Sequence, residues 1–239
     1  MDSLESELER ARDLDASALA DAIETIGFEC TRCGACCKAG ETACGGGDDD
    51  SDDATDESDA ADPEPHTATV FPDEIRELQA AGDYDFRDVA RPMPYGIEQT
   101  PDGPRGETFE WALQTDECGD CTFYAEDDGG VGACTVHEDR PLICRTYPFS
   151  VGLGGTSQPM GEAVDEEGMV RAHECEGLGR DISRADAEEL AAALKERAVR
   201  ELEEAIGVRE NYRPTERDGV VVHDSEGQKR PDGTPIDRE

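Results

Sequence analysis

The chain has 239 residues, with 60 Asp and Glu against 22 Lys and Arg and a formal net charge of -38. A surface this acidic excludes nucleic acid and anionic membranes as partners, because either requires a basic patch to displace counterions from phosphate. Hydrophobic residues at 36% and aromatics at 5% leave material for only a small core, one that the 10 cysteines are suited to staple.

Residues 1–26 read as an N-terminal helical segment, broken near Asp15–Ser17, where either residue can cap the second half. Leu14, Leu19, Ala22, Ile23 and Ile26 recur at helical spacing, and Gly27 stops the run. A cysteine-cluster domain then spans 27–179. It is interrupted over 45–66 by an Asp-, Ser- and Gly-rich insert, expected to be disordered because it cannot bury enough surface to offset its ordering entropy.

Phe71–Ala81 predicts a short helix starting at Pro72, with Ile75 and Leu78 facing inward. Asp83–Gly106, rich in Pro and Gly, reads as loop, and Thr108–Leu113 as a strand. Thr122–Tyr124 and Ala133–Val136 predict a β-hairpin closed by Asp127-Asp128-Gly129-Gly130. Gly152–Gly155 is expected as a flexible loop; it lacks the Lys and the spacing of a phosphate-binding loop. Residues 180–207 contain the clearest helix, capped by Ser183 and Asp186. Its stripe is Leu190, Leu194, Ala198, Leu202 and Ile206, with Gly207 as its stop. Residues 208–239 read as a mobile tail. The fold class is therefore α+β: a small, irregular, metal-stapled cysteine-cluster domain with a β-hairpin, flanked by terminal helices.

No stretch approaches the ~20 apolar residues of a membrane span, and Met1–Arg10 has no signal-peptide pattern. The expectation is a cytoplasmic protein, in a reducing compartment where clustered cysteines bind metal more often than they form disulfides. Lys occurs only at 38, 195 and 229. Acid excess with scarce Lys suits a salt-loaded, halophilic cytoplasm, in which screening shortens the Debye length to roughly 3 Å.

The cysteines carry the chemistry. In Phe28–Lys38, FECTRCGACCK, two residues separate each of Cys30, Cys33 and Cys36, so a compact turn around Gly34 can aim three thiolates at one centre. With a remote fourth cysteine this is the ligand run of a [4Fe–4S] site, and it leaves one thiol beyond a two-cysteine zinc knuckle. Cys37 adjoins Cys36, so the pair suits two neighbouring centres or a bridging thiolate. Downstream, Cys118 and Cys121 form a C-x2-C pair, followed by Cys134, Cys144 and Cys175, a pattern usable by zinc or iron.

FECTRCGACCK, VFPDEIREL, CTFYAEDDGGVGACTVHEDRPLICRTYPF and HECEG, taken together, resemble the YkgJ-type zinc- or iron-chelating cysteine-cluster family. Its C-x2-C-x2-C-C motif is shared with flagellin lysine-N-methylases. The resemblance covers about Phe28–Gly177 and implies metal ligands at Cys30, Cys33, Cys36, Cys37, Cys121, Cys134, Cys144 and Cys175. Cys44 and Cys118 are additional to that pattern, and Glu176 stands where the family has Pro. Arg140 and Arg145 flank Cys144, either to hydrogen-bond cluster sulfur or hold an anionic group near it, or in ordinary ion pairs. His137 and His173 read as surface or hydrogen-bonding histidines rather than ligands.

Three functions follow. The first is an iron–sulfur or zinc protein with a redox, sensing or metal-handling role. The second is an iron–sulfur enzyme related to flagellin lysine-N-methylases, in which three cysteines would leave one iron open to S-adenosylmethionine. The third is a structural zinc module that presents its helices to a protein partner, whose identity the sequence does not give.

Overall fold

The computed structural model describes residues 3–39, 65–153, 163–165, 168–215 and 217–236. Cys44, the acidic insert up to residue 64 and the glycine loop from 154 lie outside these.

The N-terminal segment is two helices, α1 (Leu4–Arg12) and α2 (Ala16–Ile26). The Ser3 side chain accepts a hydrogen bond from the backbone N–H of Ser6 (3.2 Å), capping α1. Asp15 accepts from Ser17 (2.8 Å) and Ala18 (3.3 Å), capping α2. Each bond satisfies an N–H that the first turn leaves without an intrahelical partner. Both helices pack on α6 (Arg184–Asn211), whose Ser183 cap accepts from the Asp186 N–H (3.2 Å). Leu8, Leu19, Ile23, Leu194 and Leu202 interlock there beneath a three-stranded sheet of order β8 (Phe149–Val151), β10 (Val170–His173), β9 (Ala163–Asp165).

A second core lies beneath the antiparallel sheet β1 (Thr69–Val70), β5 (Trp111–Leu113), β2 (Ala90–Pro92). Helix α3 (Pro72–Ala81) covers it with Ile75 and Leu78 fully buried, as its periodicity predicts. The hairpin of β6 (Tyr124–Glu126) and β7 (Gly132–Cys134) is present, with its strands shifted from the expected bounds. Asp127 Oδ1 organises its turn, accepting from the N–H groups of Gly129 (2.9 Å) and Val131 (3.0 Å). The α+β class is as expected: helices and several small sheets, with no barrel among the described residues.

Three expectations are corrected. Asp83–Gly106 is not loop: it contains α4 (Phe86–Val89), β2, β3 (Ile97–Thr100) and part of β4 (Gly103–Thr108). The expected strand Thr108–Leu113 is divided, β4 ending at Thr108 and β5 beginning at Trp111 in another sheet. Gly207 does not end the last helix, and the segment after it is not a free tail. Gly207 lies inside α6, where a Cβ would stand 2.6 Å from that of Ser225, so its hydrogen side chain gives clearance rather than a stop. The crossing segment forms β11 (Val220–Asp224) and β12 (Gly227–Lys229); β11 pairs in parallel with β4 and buries Val222, His223 and Asp224. Parallel pairing across more than a hundred residues leaves no local periodicity to read.

Two buried polar groups tie these layers to α5 (Leu142–Thr146), a five-residue helix carrying Cys144. Glu74 of α3 accepts from the Leu142 N–H (2.9 Å) through one oxygen and from the Phe71 N–H (3.0 Å) through the other. Burial raises its pKa. Arg197 of α6, only 2% exposed, donates to Glu201 (2.7 Å), Thr146 Oγ1 (3.0 Å) and the Phe149 carbonyl (3.3 Å). Arg197→Ala and Arg197→Met both strand these acceptors, and a loss of about 3–5 kcal/mol is expected for each. Denaturant unfolding followed through the single tryptophan, Trp111, measures both; a near-zero loss for Arg197→Met beside a large one for Arg197→Ala would show that the apolar stem, and not the guanidinium contacts, stabilises the fold.

Candidate metal centre

The first cysteine segment leaves α2 at Gly27, whose φ of +77° no L-residue adopts without strain. A Cβ there would meet the Arg180 carbonyl oxygen at 2.4 Å, so the chain turns in close contact with the segment after Cys175. The two then pair antiparallel. Phe28 bridges Leu178, the Glu29 N–H donates to the Gly177 carbonyl (3.0 Å), and the Gly179 N–H donates to that of Gly27 (3.0 Å). Cys30 therefore emerges beside the turn that carries Cys175. That turn is held by Tyr147, whose hydroxyl donates to the Glu174 carbonyl (2.5 Å), and by the Gly177 N–H, 3.4 Å from Cys175 Sγ. The chain next wraps at Gly34 (φ +79°), whose carbonyl accepts from the N–H groups of Cys37 (2.8 Å) and Lys38 (3.1 Å). Cys36 and Cys37 leave this turn with their sulfurs 3.8 Å apart.

The second segment docks on the first through its backbone. The Cys121 N–H donates to the Cys37 carbonyl (2.8 Å), and the Gly132 N–H to that of Arg32 (2.7 Å). Cys134 lies on β7 opposite Tyr124, and Cys144 follows in the first turn of α5. A brace that the sequence did not reveal locks the two segments. Glu126 accepts from Lys38 Nζ and from the Tyr124 hydroxyl, both at 2.5 Å, and the ammonium lies 5.2 Å from the Tyr124 ring centre. The ring covers Gly34, where a Cβ would stand 2.3 Å from the Tyr124 oxygen.

All eight cysteines implied by the family resemblance are free thiols gathered by these contacts. They form two neighbourhoods. Cys175 has Cys33, Cys36 and Cys30 as its ionisable sulfur neighbours; Cys144 has Cys121, Cys134 and Cys36, and Cys37 has Cys36, Cys144 and Cys121, so that Cys36 belongs to both sets. Burial is the chief force raising the thiol pKa of Cys121, to about 11, and also that of Cys134, Cys144 and Cys175; neighbouring sulfurs add to it. In the Cys36–Cys37 pair, the shared hydrogen bond favours the thiolate at Cys36 and keeps the proton on Cys37.

Such a donor set fits a soft metal ion or cluster. Crowded, half-buried thiols oppose one another's ionisation until a cation compensates them, and thiolates select zinc and iron–sulfur centres. Among the described residues no three Cys, His, Asp or Glu side chains are drawn tightly enough to enclose an ion.

The remaining candidates separate clearly. Cys118 is disulfide-bonded and so is not a free ligand, and Cys44 lies outside the described residues. His137 is exposed beside Glu138 (3.4 Å), and His173 is buried on Ser150 Oγ (2.8 Å), as hydrogen-bonding histidines. Arg140 donates to the His137 carbonyl (3.1 Å), and among the described residues neither it nor Arg145 has a carboxylate partner. The charge of Arg140 instead favours ionisation of Cys36, Cys134 and Cys144. Both arginines line a cleft of about 390 Å³ at whose edge Cys30 lies, together with Glu29, Asp181, Asp186 and Glu189.

Gly34→Ala would combine the cost of a left-handed backbone, about 1–2 kcal/mol, with displacement of the Tyr124 brace. The purified variant is expected to retain less than half the metal of the parent; equal metal content would show that the turn tolerates a side chain.

Comparison with curated proteins and with solved structures finds no match. One family model does match, over residues 29–176, and that stretch contains all eight free cysteines. On that match, which covers more than half of the chain, this protein belongs to the CxxCxxCC family, described as a putative zinc- or iron-chelating domain.

Proposed function

We propose that Cys30, Cys33, Cys36 and Cys175 hold an iron–sulfur cluster of the [4Fe–4S] type, through which the protein serves a redox or sensing role. Metal chelation is the family's description; the cluster and its use are the finer reading. The observation that carries it is the pairing of residues 28–29 with 177–178, which sets a remote cysteine beside a C-x2-C-x2-C run. That combination of three closely spaced thiols and one distant thiol is the ligand pattern of such clusters.

A bound cluster would supply one-electron chemistry. The chain's own residues would position and tune it. Tyr147 fixes the Cys175 turn from outside, and Gly27 permits the close approach of the two segments. Arg140 offsets part of the accumulating thiolate charge, a role open to it because no carboxylate among the described residues claims its guanidinium. Cys30 and Cys36 are exposed, which keeps this end of the centre within reach of a redox partner or a small oxidant.

The acidic surface fits work in a salt-loaded cytoplasm, where counterions screen the self-repulsion of a net charge of -38. The thermal midpoint is therefore expected to rise as KCl is increased from about 0.1 M to molar levels; a midpoint independent of salt would remove this part of the proposal.

Protein purified without oxygen in high salt is expected to be brown and to contain about four iron and four acid-labile sulfide per chain, with the colour bleached by dithionite. Cys33→Ser is expected to abolish the colour. Zinc without sulfide, or iron without sulfide, would overturn the iron–sulfur reading.

A further inference from the structure

A second cleft, of about 550 Å³, opens where the two hydrophobic cores face each other, and among the described residues no cysteine lines it. One wall is α6, with Leu194, Ala198 and Leu202. The other is the β1–β5–β2 sheet, with Val70, Trp111 and, just beyond β2, Met93. All six are buried. A hollow of this size with apolar walls has the dimensions of a small-molecule site, about 300–1,000 Å³.

The rest of the lining has two features. It takes Phe71, Tyr95, Phe109 and Trp111 from a chain that holds only 6 Phe, 5 Tyr and 1 Trp, and Tyr95 and Phe109 are exposed. It also carries Glu107, Glu110, Glu201 and Glu204, while Arg197 is the one cationic side chain lining it among the described residues. That arginine is committed to Glu201 (2.7 Å), Thr146 and the Phe149 carbonyl. Glu107 accepts from the Thr215 N–H (3.2 Å) and stands 3.4 Å from His223 Nε2. Two carboxylates remain without a cation. Glu204 accepts from the Ser225 N–H (2.8 Å), a neutral donor, and Glu110 has neither a hydrogen-bond nor a cationic partner for its side chain among the described residues. They come from opposite walls, Glu204 from α6 and Glu110 from the link between β4 and β5. Glu110 is open to the hollow and yet desolvated by the protein around it; that burial raises its pKa, and the charge of Glu204 adds to the effect. Burial raises the pKa of Glu204 as well.

From this arrangement we infer that the cleft is a binding site for a small organic amine, whose apolar body lies between α6 and the sheet and whose primary ammonium bridges Glu110 and Glu204. An ammonium has three donors to divide between two carboxylates, and its charge ends their mutual repulsion. The aromatic faces add cation–π attraction, and the apolar walls favour transfer of the ligand body out of water. The same chemistry excludes other occupants. An anionic ligand would meet like charge in an apolar enclosure, and a second copy of a chain with net charge -38 would be repelled as it approached. An inorganic cation would satisfy the carboxylates and leave the apolar hollow unfilled. Molar salt screens an exposed ion pair far more than one inside a cleft, so the site remains usable in the medium that the surface suits. The inference is independent of the metal and of the iron–sulfur reading.

The test uses the full chain in molar KCl and three probes of matched shape: phenethylamine, the neutral phenethyl alcohol and the anionic hydrocinnamate. Trp111, the single tryptophan, stands in the wall, so its fluorescence reports occupancy, with titration calorimetry as the second readout. Phenethylamine is expected to bind with a dissociation constant of about a millimolar or below. The alcohol is expected to bind at least about tenfold more weakly, the value of one charge-assisted hydrogen bond, and hydrocinnamate not at all. Glu110→Gln keeps the shape and removes the charge; it is expected to weaken the amine about tenfold and to leave the alcohol unchanged. Ala205→Trp, on the α6 wall, fills the hollow and is expected to abolish binding of both, and the Glu110→Gln comparison stands whether or not that variant folds. No response to phenethylamine at about 10 mM would overturn the site. Equal affinity for the amine and the alcohol, or an amine affinity unchanged by Glu110→Gln, would overturn the assignment of a cationic ligand.

Discussion

Thiols brought together oppose one another's ionisation, and that mutual opposition is the constraint on which the rest of this structure depends. Eight free cysteines from distant parts of the chain meet on one flank, and burial adds to the penalty on charge at Cys121, Cys134, Cys144 and Cys175. A cation removes that penalty, because coordination replaces the proton on each sulfur and neutralises the charge that remains. Without a ligand the arrangement would have little to recommend it: Val or Ala would fill the same apolar space without the liability to oxidation.

The scaffold meets this constraint by fixing the backbones that carry the sulfurs. Gly27 and Gly34 provide left-handed backbone where two segments must nearly touch, and Tyr124, Lys38 and Glu126 then clasp the wrapped turn from outside. Behind the site, Glu74 and Arg197 hold opposite sides of the small helix that carries Cys144. Both are buried charges committed to several hydrogen bonds each, the condition under which buried charge holds a structure rather than weakening it. Residues far from the cysteine motifs in sequence thus decide where the Cys144 sulfur sits.

What was legible in the sequence was local. The Asp15 and Ser183 caps, the Pro72 start of α3, the inward Ile75 and Leu78, and the hairpin turn at Asp127 each depend on contacts within a few residues, so spacing alone reveals them. The cysteine spacing is likewise a local record of the turn at Gly34. Distant pairings were hidden. Strand β11 joins β4 in parallel, and Gly207 clears space for Ser225 instead of ending a helix; neither has a signature until the partner segment is known. The grouping of the thiols was hidden for the same reason. Residues 28–29 meet 177–178 while Cys37 meets Cys121, and no count along the chain separates those two encounters.

The acidic composition and the cysteine cluster follow from one physical circumstance. A surface with 60 carboxylates among 239 residues spreads repulsion through the whole fold, and a chain with 5% aromatics has little apolar area with which to oppose it. Here the apolar material is divided between two cores, one under the long helix and its sheet and one under the β1–β5–β2 sheet and α3. Cys37, Cys121, Cys134 and Cys144 lie in or against the second core, and Phe28, two residues before Cys30, stacks edge-on against Phe149 at 5.7 Å in the first. Coordinate bonds from a chelated metal would add stability there without requiring more apolar surface.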